Sequence, residues 1–210
     1  MCVQQTGTFT PRLLYIIPRF HCGCHRKRAS YIAATLKAYC ATGATPTLAS
    51  ADSADSASIK YGRDDSQSSS ATIPIPTATG THYSYLKYLL LDVTVTGATS
   101  ISNRKISVAS ALATGLALFF KDQPTYTQNN GTQGTAAGNY PADAGTNGAT
   151  PSGYTAVTTT PTLWDNTSVS SGSSGRNGDY VQTVLGVDNT YTGGGGSASL
   201  PNIQVQYDEA

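Results

Sequence analysis

The sequence predicts an all-β protein, a β-sandwich of jelly-roll or Ig-like type with long loops and an extended N-terminal arm. Three observations predict this fold class. Thr, Ser, Gly and Asn are abundant and there are 13 Tyr, so residues that favour strands and turns dominate. Only 12% of residues are charged, about half the usual ~25%. Short alternating segments are separated by turn signals roughly 8–15 residues apart.

The chain divides by charge into an arm and a body. Residues 1–40 carry six Lys or Arg and no acidic residue, whereas residues 41–210 carry seven basic and twelve acidic residues. We place a basic, cysteine-containing arm at residues 1–30 and a β-sandwich body at 31–210, which is long enough to bury its own core. The arm either docks on a negatively charged partner or is a solvated tail.

An apolar run in the arm is a candidate contact with a neighbouring subunit. It consists of Leu13, Leu14, Tyr15, Ile16 and Ile17. The run is too short to cross a membrane, for which about 20 residues are needed, so we expect no membrane association. Basic residues follow the run instead of preceding it, so we expect no export signal.

All four cysteines, Cys2, Cys22, Cys24 and Cys40, lie in the first 40 residues. They are candidates for disulfides, with three pairings open, although a bond between Cys22 and Cys24 would close a very tight ring. Free thiols are the alternative. Zn²⁺ is a third interpretation, because His21 and His25 flank the Cys22–Gly23–Cys24 knuckle, but the ligand spacing is unusual for zinc. We predict no metal.

The body contains about seven to nine predicted strands. The first begins near residue 31, and others are expected at residues 59–63, 83–96, 101–108, 112–120, 154–160, 180–187 and 200–207, with loops at 42–58, 64–71 and 168–178. Residues 112–120 are helical by composition, but Gly115 and the two following phenylalanines favour a buried strand. In the 180–187 strand, Val181, Thr183, Leu185 and Val187 share one face. In the 101–108 strand we expect Arg104 to lie on the face opposite Ile106.

Residues 121–162 are predicted to form one long loop. Loops of this length are usually binding surfaces, functional segments or disordered regions. Three tyrosines, Tyr126, Tyr140 and Tyr154, punctuate it. Because tyrosine is enriched at protein interfaces, we expect an ordered loop that lies on a partner, with these three side chains as interface candidates.

No convincing set of catalytic residues occurs in the sequence. There are three His and a single Glu, and no nucleophile elbow, opposed carboxylate pair or phosphate-binding loop is present. We therefore predict that the protein is not an enzyme and uses no cofactor.

Several segments of the body, taken together, suggest a family. They are residues 79–87 (Thr-Gly-Thr-His-Tyr-Ser-Tyr-Leu-Lys), 102–110 (Ser-Asn-Arg-Lys-Ile-Ser-Val-Ala-Ser), 178–188, 193–196, 200–202 and 207–209. In the residue types of these segments and in their order along the chain, residues 31–210 resemble β-rich virion proteins of tailed bacteriophages that decorate or cement the capsid or form tail parts. The resemblance implies a multimeric structural role without enzymatic activity. The first 30 residues depart from that pattern.

The sequence and the resemblance lead to one main hypothesis and two alternatives. The first is a capsid decoration or cement protein of the virion, assembled in the host cytoplasm, which binds the major capsid protein or other virion subunits, forms a homo-oligomer and does not bind nucleic acid. The second is a tail, collar or baseplate component. The third is a carbohydrate-binding β-sandwich, which should expose a tryptophan platform.

We predict that deleting residues 1–30, or replacing the four cysteines with serine, weakens assembly and leaves the body folded. The physical reason is that the arm is expected to contact a neighbour and not the body's own core. Circular dichroism would report the fold, and light scattering would report the assembly. A body that unfolds without the arm would place the boundary elsewhere.

Overall fold

The computed structural model describes residues 5–7, 35–43, 47–50, 59–62, 64–65, 73–94, 100–123, 125–128, 141–170, 180–193 and 203–209. These residues contain twelve strands and no helix. The strands are β1 (Gln5–Gly7), β2 (Thr35–Thr42), β3 (Thr47–Ser50), β4 (Thr81–Tyr83), β5 (Lys87–Thr94), β6 (Ser100–Val108), β7 (Leu116–Gln123), β8 (Thr155–Ala156), β9 (Thr162–Asp165), β10 (Val169–Ser170), β11 (Tyr180–Asp188) and β12 (Ile203–Glu209).

The strands form two antiparallel sheets, which confirms the all-β prediction. One sheet has five strands in the order β1-β12-β6-β10, with β9 also paired to β6. The other has seven strands in the order β3-β2-β5-β11-β7-β8, with β4 also paired to β11. We call them the β6 sheet and the β11 sheet. The jelly-roll or Ig-like arrangement stays a prediction.

Both sheets contribute side chains to one apolar cluster, which is the main core. Its members from the β11 sheet are Cys40, Leu89, Leu118, Phe120 and Val181, and those from the β6 sheet are Ile101, Ile106, Val108, Trp164, Val205 and Tyr207, with Val157 from a connecting segment. Completely burying a side chain of this kind contributes about 1.5–3 kcal/mol. The cluster therefore ties the two sheets together.

Strand β11 lies at the centre of its sheet and is buried on both faces. Val181, on one face, joins the shared core, and Leu185 and Val187 form a second cluster with Ile73. Val184, on the opposite face, packs with Tyr83 and other side chains of a third cluster. The predicted face of Val181, Thr183, Leu185 and Val187 is thus correct, but no pattern indicated that the other face would be covered.

The face predicted for Arg104 is wrong. Arg104 precedes Ile106 by two residues, so regular alternation already places the two side chains on one face of β6. Arg104 is completely buried and its guanidinium lies 5.9 Å from the ring centroid of Trp164, a member of the same core as Ile106. Asn103 has a positive φ of 51°, and the pairing of β6 with β12 shifts register between Gln206 and Asp208, so that two residues of β6 lie opposite one of β12. This bulge explains why Ile101 shares the core with Ile106 although their positions differ by five.

Several other local predictions differ from the structure, among them the loop at 168–178, which contains β10. Residues 59–62 form no strand, and the predicted loop at 42–58 contains β3. The strand predicted at 83–96 is two strands, β4 and β5. At the break between them, the Ser84 amide donates to Leu185 O (2.8 Å), and the Leu185 amide donates to Ser84 Oγ (3.0 Å). The Ser84 hydroxyl thus takes the place of a backbone carbonyl as the acceptor for Leu185. As a result β11 pairs with both β4 and β5.

Gly115, in the turn before β7, is required by a close approach of the chain. Its φ is +82°, and a Cβ built there would lie 2.3 Å from Tyr191 N and 2.6 Å from Tyr191 Cα. Its carbonyl accepts a hydrogen bond from the Asp188 amide (2.9 Å), which holds the residues after β11 against this turn. Any larger residue must displace backbone.

We predict that Gly115→Ala lowers the free energy of unfolding by about 3 kcal/mol or more, because left-handed strain adds to a backbone clash. Gly148→Ala is the matched control, since Gly148 also has a positive φ (+62°) but has no atom within 4 Å of the added Cβ. The control should lose only about 1 kcal/mol. Urea denaturation measures both values. Equal losses would contradict the importance of the close approach.

Candidate interaction surface

A tyrosine cluster covers part of the outer face of the β11 sheet. It consists of Tyr88, Tyr126, Tyr154 and Tyr180, gathered around Gln182. The ring centroids of Tyr88 and Tyr126 are 4.9 Å apart, and Tyr180 lies 6.0 and 5.9 Å from these two. Gln182 Nε2 donates to the Tyr88 hydroxyl, and the Tyr154 hydroxyl donates to Gln182 Oε1 (2.8 Å). The nitrogen and the oxygen of the buried Gln182 side-chain amide therefore each have a hydrogen-bond partner.

Burial raises the pKa of several tyrosine hydroxyls on this side of the sheet. Desolvation is the largest cause for Tyr126 and for Tyr154, with further contributions from neighbouring groups, chiefly Asp65 and Tyr88 respectively. Desolvation, helped by the charge of Asp143, raises the pKa of Tyr83 to about 12. The Tyr126 hydroxyl also donates to Gly43 O (2.7 Å), which fixes its ring. These tyrosine side chains therefore stabilise the fold. Tyr126 and Tyr154, which are half-buried, also contribute to the surface.

Residues 144–160, which we call the neutral loop, are fastened to β4 by hydrogen bonds. The Thr81 amide donates to Ala144 O (2.8 Å) and the Ala144 amide donates to Thr81 O (2.9 Å). The Thr81 hydroxyl donates to Thr146 O (2.8 Å), and the Tyr83 hydroxyl donates to Ala149 O (2.7 Å). A segment without an apolar pattern is therefore ordered by backbone pairing to a strand.

The exposed part of the neutral loop carries no charge. Residues 144–164 include no Asp, Glu, Lys, Arg or His. Its exposed residues are small and neutral, and include Gly145, Thr146, Asn147, Gly148, Thr150, Ser152 and Gly153. Asp143 directly precedes the neutral loop, and its Oδ2 lies 3.6 Å from His82 Nε2. This surface can be covered by another molecule without leaving a charge unpaired.

The predicted interface residues lie partly outside the described residues. Leu13, Leu14, Tyr15, Ile16, Ile17 and Tyr140 lie outside them, as do Cys2, Cys22 and Cys24. Tyr126 and Tyr154 are half-buried in the tyrosine cluster, and their contact with a partner stays a prediction. Cys40 is completely buried in the shared core, so its replacement by serine is expected to destabilise the body, unlike the other three replacements.

A buried lysine was not predicted from the sequence. Lys87 is completely buried at the start of β5, and its Nζ donates to Asp64 O (3.0 Å). Burial lowers its pKa, while Cys40, Asp65 and Asp64 act in the opposite direction. The Tyr61 hydroxyl donates to Thr183 Oγ1 (2.7 Å) and the Thr183 hydroxyl donates to Lys87 O (3.2 Å). The only sequence signal was a single Lys inside an apolar run.

A second buried charge is paired across two strands. Arg104 Nη2 on β6 donates to Asp165 Oδ2 at the end of β9, and both side chains are almost completely inaccessible. Asp165 Oδ1 also accepts from the Thr167 amide (2.7 Å). Removing one member of such a pair typically costs about 3–5 kcal/mol, because the other charge is left buried. The pair therefore fixes β9 against β6.

The described residues bring together few groups with catalytic potential. The Ser84 hydroxyl, which is completely buried, donates to Tyr85 O (2.8 Å) and accepts from the Leu185 amide. His82 Nδ1 lies 2.9 Å from Pro74 O. Within the same part of the chain, no three His, Cys, Asp or Glu side chains are close enough to hold a metal ion. Nor does it contain a helix that is long and apolar enough to cross a membrane.

Comparison with known proteins finds no match: no family model, no curated protein and no solved structure is similar to this chain.

We predict that the chain loses stability as pH rises above about 10. A tyrosine whose pKa is raised in the folded state stabilises the fold below its unfolded pKa of ~10, and that contribution is lost as pH increases towards the folded pKa. Absorbance titration should show that some of the 13 tyrosines ionise only together with unfolding. The chain in urea is the control, in which all tyrosines should titrate near ~10. Reversible ionisation of every tyrosine in the folded chain near that pH would contradict the prediction.

Proposed function

We propose that this protein is a structural, non-enzymatic subunit of a virus particle, most directly a capsid decoration or cement protein that binds and stabilises neighbouring capsid subunits. The observation that carries the proposal is the uncharged, hydrogen-bonded surface of the neutral loop. The centres of protein interfaces are depleted in charged residues, because a charge that loses its water without gaining a partner is costly. A rigid surface of neutral residues can pack on a neighbour without that penalty.

Two further features support a packing role. The neutral loop is held by backbone and side-chain hydrogen bonds to β4, so little conformational entropy is lost when it becomes covered. The basic arm and the acidic body have opposite charges, +5 for residues 1–30 against −4 for residues 31–210, which attracts the arm of one copy to the body of another, while Gln5–Gly7 of the arm pair with β12 of their own chain. Both features fit a homo-oligomer on a particle surface.

The alternative functions differ in the number of copies or in the ligand. A tail, collar or baseplate component uses the same kind of surface, but it is present in few copies arranged in a ring or fibre. A carbohydrate-binding module would present an aromatic platform. Trp164 is the only tryptophan and is buried beneath Arg104, which disfavours that function.

The copy number of the chain in purified virus particles tests the proposal and separates its two virion forms. Many copies in symmetric clusters are expected for a decoration protein, and few copies for a tail part. A chain that is absent from particles and binds glycans alone would contradict both.

We predict that the double variant Thr150→Lys with Ser152→Lys weakens binding to particles and self-association at least tenfold, because two cations would be buried without partners. The matched control is Ala111→Lys with Thr114→Lys, which adds the same charge at exposed positions in the turn before β7. Sedimentation with particles and light scattering measure the two effects. Equal losses in both variants would indicate that net charge, and not the neutral loop, controls association.

A further inference from the structure

The side-chain amide of Asn147 joins the neutral loop to two other segments of the chain. Asn147 Oδ1 accepts a hydrogen bond from the Gly80 amide (2.8 Å), and Asn147 Nδ2 donates to Asn189 Oδ1 (2.6 Å). Gly80 directly precedes β4, and Asn189 directly follows β11. Because Thr81 pairs with Asp188, Gly80 and Asn189 lie at the same end of this strand pair. We call the two hydrogen bonds the Asn147 clamp.

The residue that forms the clamp also carries a chemically labile amide. Asn147 is followed by Gly148, and both residues are exposed, so water reaches them. The backbone nitrogen that follows an asparagine can attack the side-chain Cγ of that asparagine, because covalent structure alone keeps the two atoms within reach. Glycine favours this attack, since it has no Cβ to crowd its nitrogen. A Cβ built at Gly148 would meet no atom within 4 Å, so no neighbour crowds Gly148 either.

We propose that Asn147 is a site of deamidation that the clamp controls. Gly148 N attacks Asn147 Cγ, and the proton of this nitrogen goes to Nδ2. The bond between Cγ and Nδ2 then breaks, which releases ammonia and leaves a cyclic imide. Water adds to one carbonyl of the imide and opens the ring to aspartate or isoaspartate. The net reaction exchanges ammonia for water, and no atom changes its oxidation state.

The clamp opposes this reaction for a geometric reason. During ring closure, Asn147 Cγ moves towards Gly148 N and changes from planar to tetrahedral, so Oδ1 and Nδ2 cannot both keep their directions. Their partners, Gly80 and Asn189, belong to other segments and do not follow this movement. The reaction therefore proceeds from molecules in which the neutral loop has separated locally from β4 and β11. Two ordinary hydrogen bonds reduce that population about tenfold or more.

The product of deamidation changes the character of the neutral loop. Residues 144–164 carry no charge, and the reaction adds a carboxylate at position 147. Aspartate has no donor for Asn189 Oδ1, so this half of the clamp is not restored. A surface with an unpaired negative charge is also costly to cover. The modification itself does not depend on the proposed function, whereas its effect on docking does.

Peptide mapping by mass spectrometry tests the proposal on the full-length chain, stored near neutral pH. Asn147 in the folded chain is expected to convert about tenfold or more slowly than in the same chain in urea. In urea it should convert at the rate of Asn130–Gly131 and Asn177–Gly178, the same dipeptide elsewhere in the sequence. Gly148→Ala should slow the conversion in both states, because the added methyl group crowds the attacking nitrogen.

Variants of Asn189 test the clamp directly. Asn189→Ala removes the acceptor for Asn147 Nδ2 and should speed the conversion in the folded chain about fivefold, the value of one hydrogen bond. Asn189→Asp keeps an acceptor and should keep the slow rate. Asn166→Ala, the same change at another exposed asparagine, should have no effect.

Circular dichroism reports whether each variant is folded. If Asn189→Ala does not fold, the ratio of the rates in the folded chain and in urea still decides whether the fold controls Asn147. Equal rates in these two states would overturn the proposal. An unchanged rate in folded Asn189→Ala would overturn it as well.

Discussion

The two-sided burial of β11 is the constraint on which the rest of the structure depends. A strand with one buried face can leave its other face in water, but β11 carries Gln182 and Val184 opposite Val181 and Leu185, so both faces need cover. The shared core supplies one cover. The tyrosine cluster and the neutral loop supply the other, and the polar groups on that side are satisfied by tyrosine hydroxyls and by backbone pairing to β4. The order of a loop rich in small polar residues follows from this need.

Charged residues are placed unusually in two respects. Arg104, Asp165 and Lys87 are buried in the described part of the chain, whereas the most extensive exposed loop there has no charge. Buried charges are costly unless they are paired or hydrogen-bonded, and here the Arg104 guanidinium and the Lys87 amine each have an oxygen partner. An exposed surface without charge, in contrast, costs much less to remove from water than a charged one. Such a distribution suits a protein that binds a neighbour through the neutral loop and is made rigid by its buried polar interactions.

Sequence patterns predicted the elements whose packing follows a simple period. The alternation in β11 and in β12 was visible because Val181, Leu185, Val205 and Tyr207 repeat every second residue. The bulge at Asn103 could not be read in the same way, because it interrupts the period and thereby brings Ile101 to the same core as Ile106. Arg104 lies two residues before Ile106, so its face did follow the simple period, and only its burial as a charged residue was unexpected. Lys87 was hidden for a different reason: its partners come from Asp64 and Thr183, which are distant in sequence. The neutral loop was predicted as a long ordered loop, but its anchorage on Thr81 depends on tertiary pairing.

The position of β11 also affects how the protein is made. Strands β5 and β7 both need β11 as their neighbour, yet Tyr180 leaves the ribosome 57 residues after Gln123, the last residue of β7. At about 5–20 residues per second, β7 waits roughly 3 to 11 s with an unpaired edge, and β5 waits longer because it ends at Thr94. Exposed strand edges are sites of aggregation between nascent chains. A chaperone that shields β5 and β7 during this interval, or slower initiation that keeps nascent chains apart, should therefore raise the yield of soluble protein.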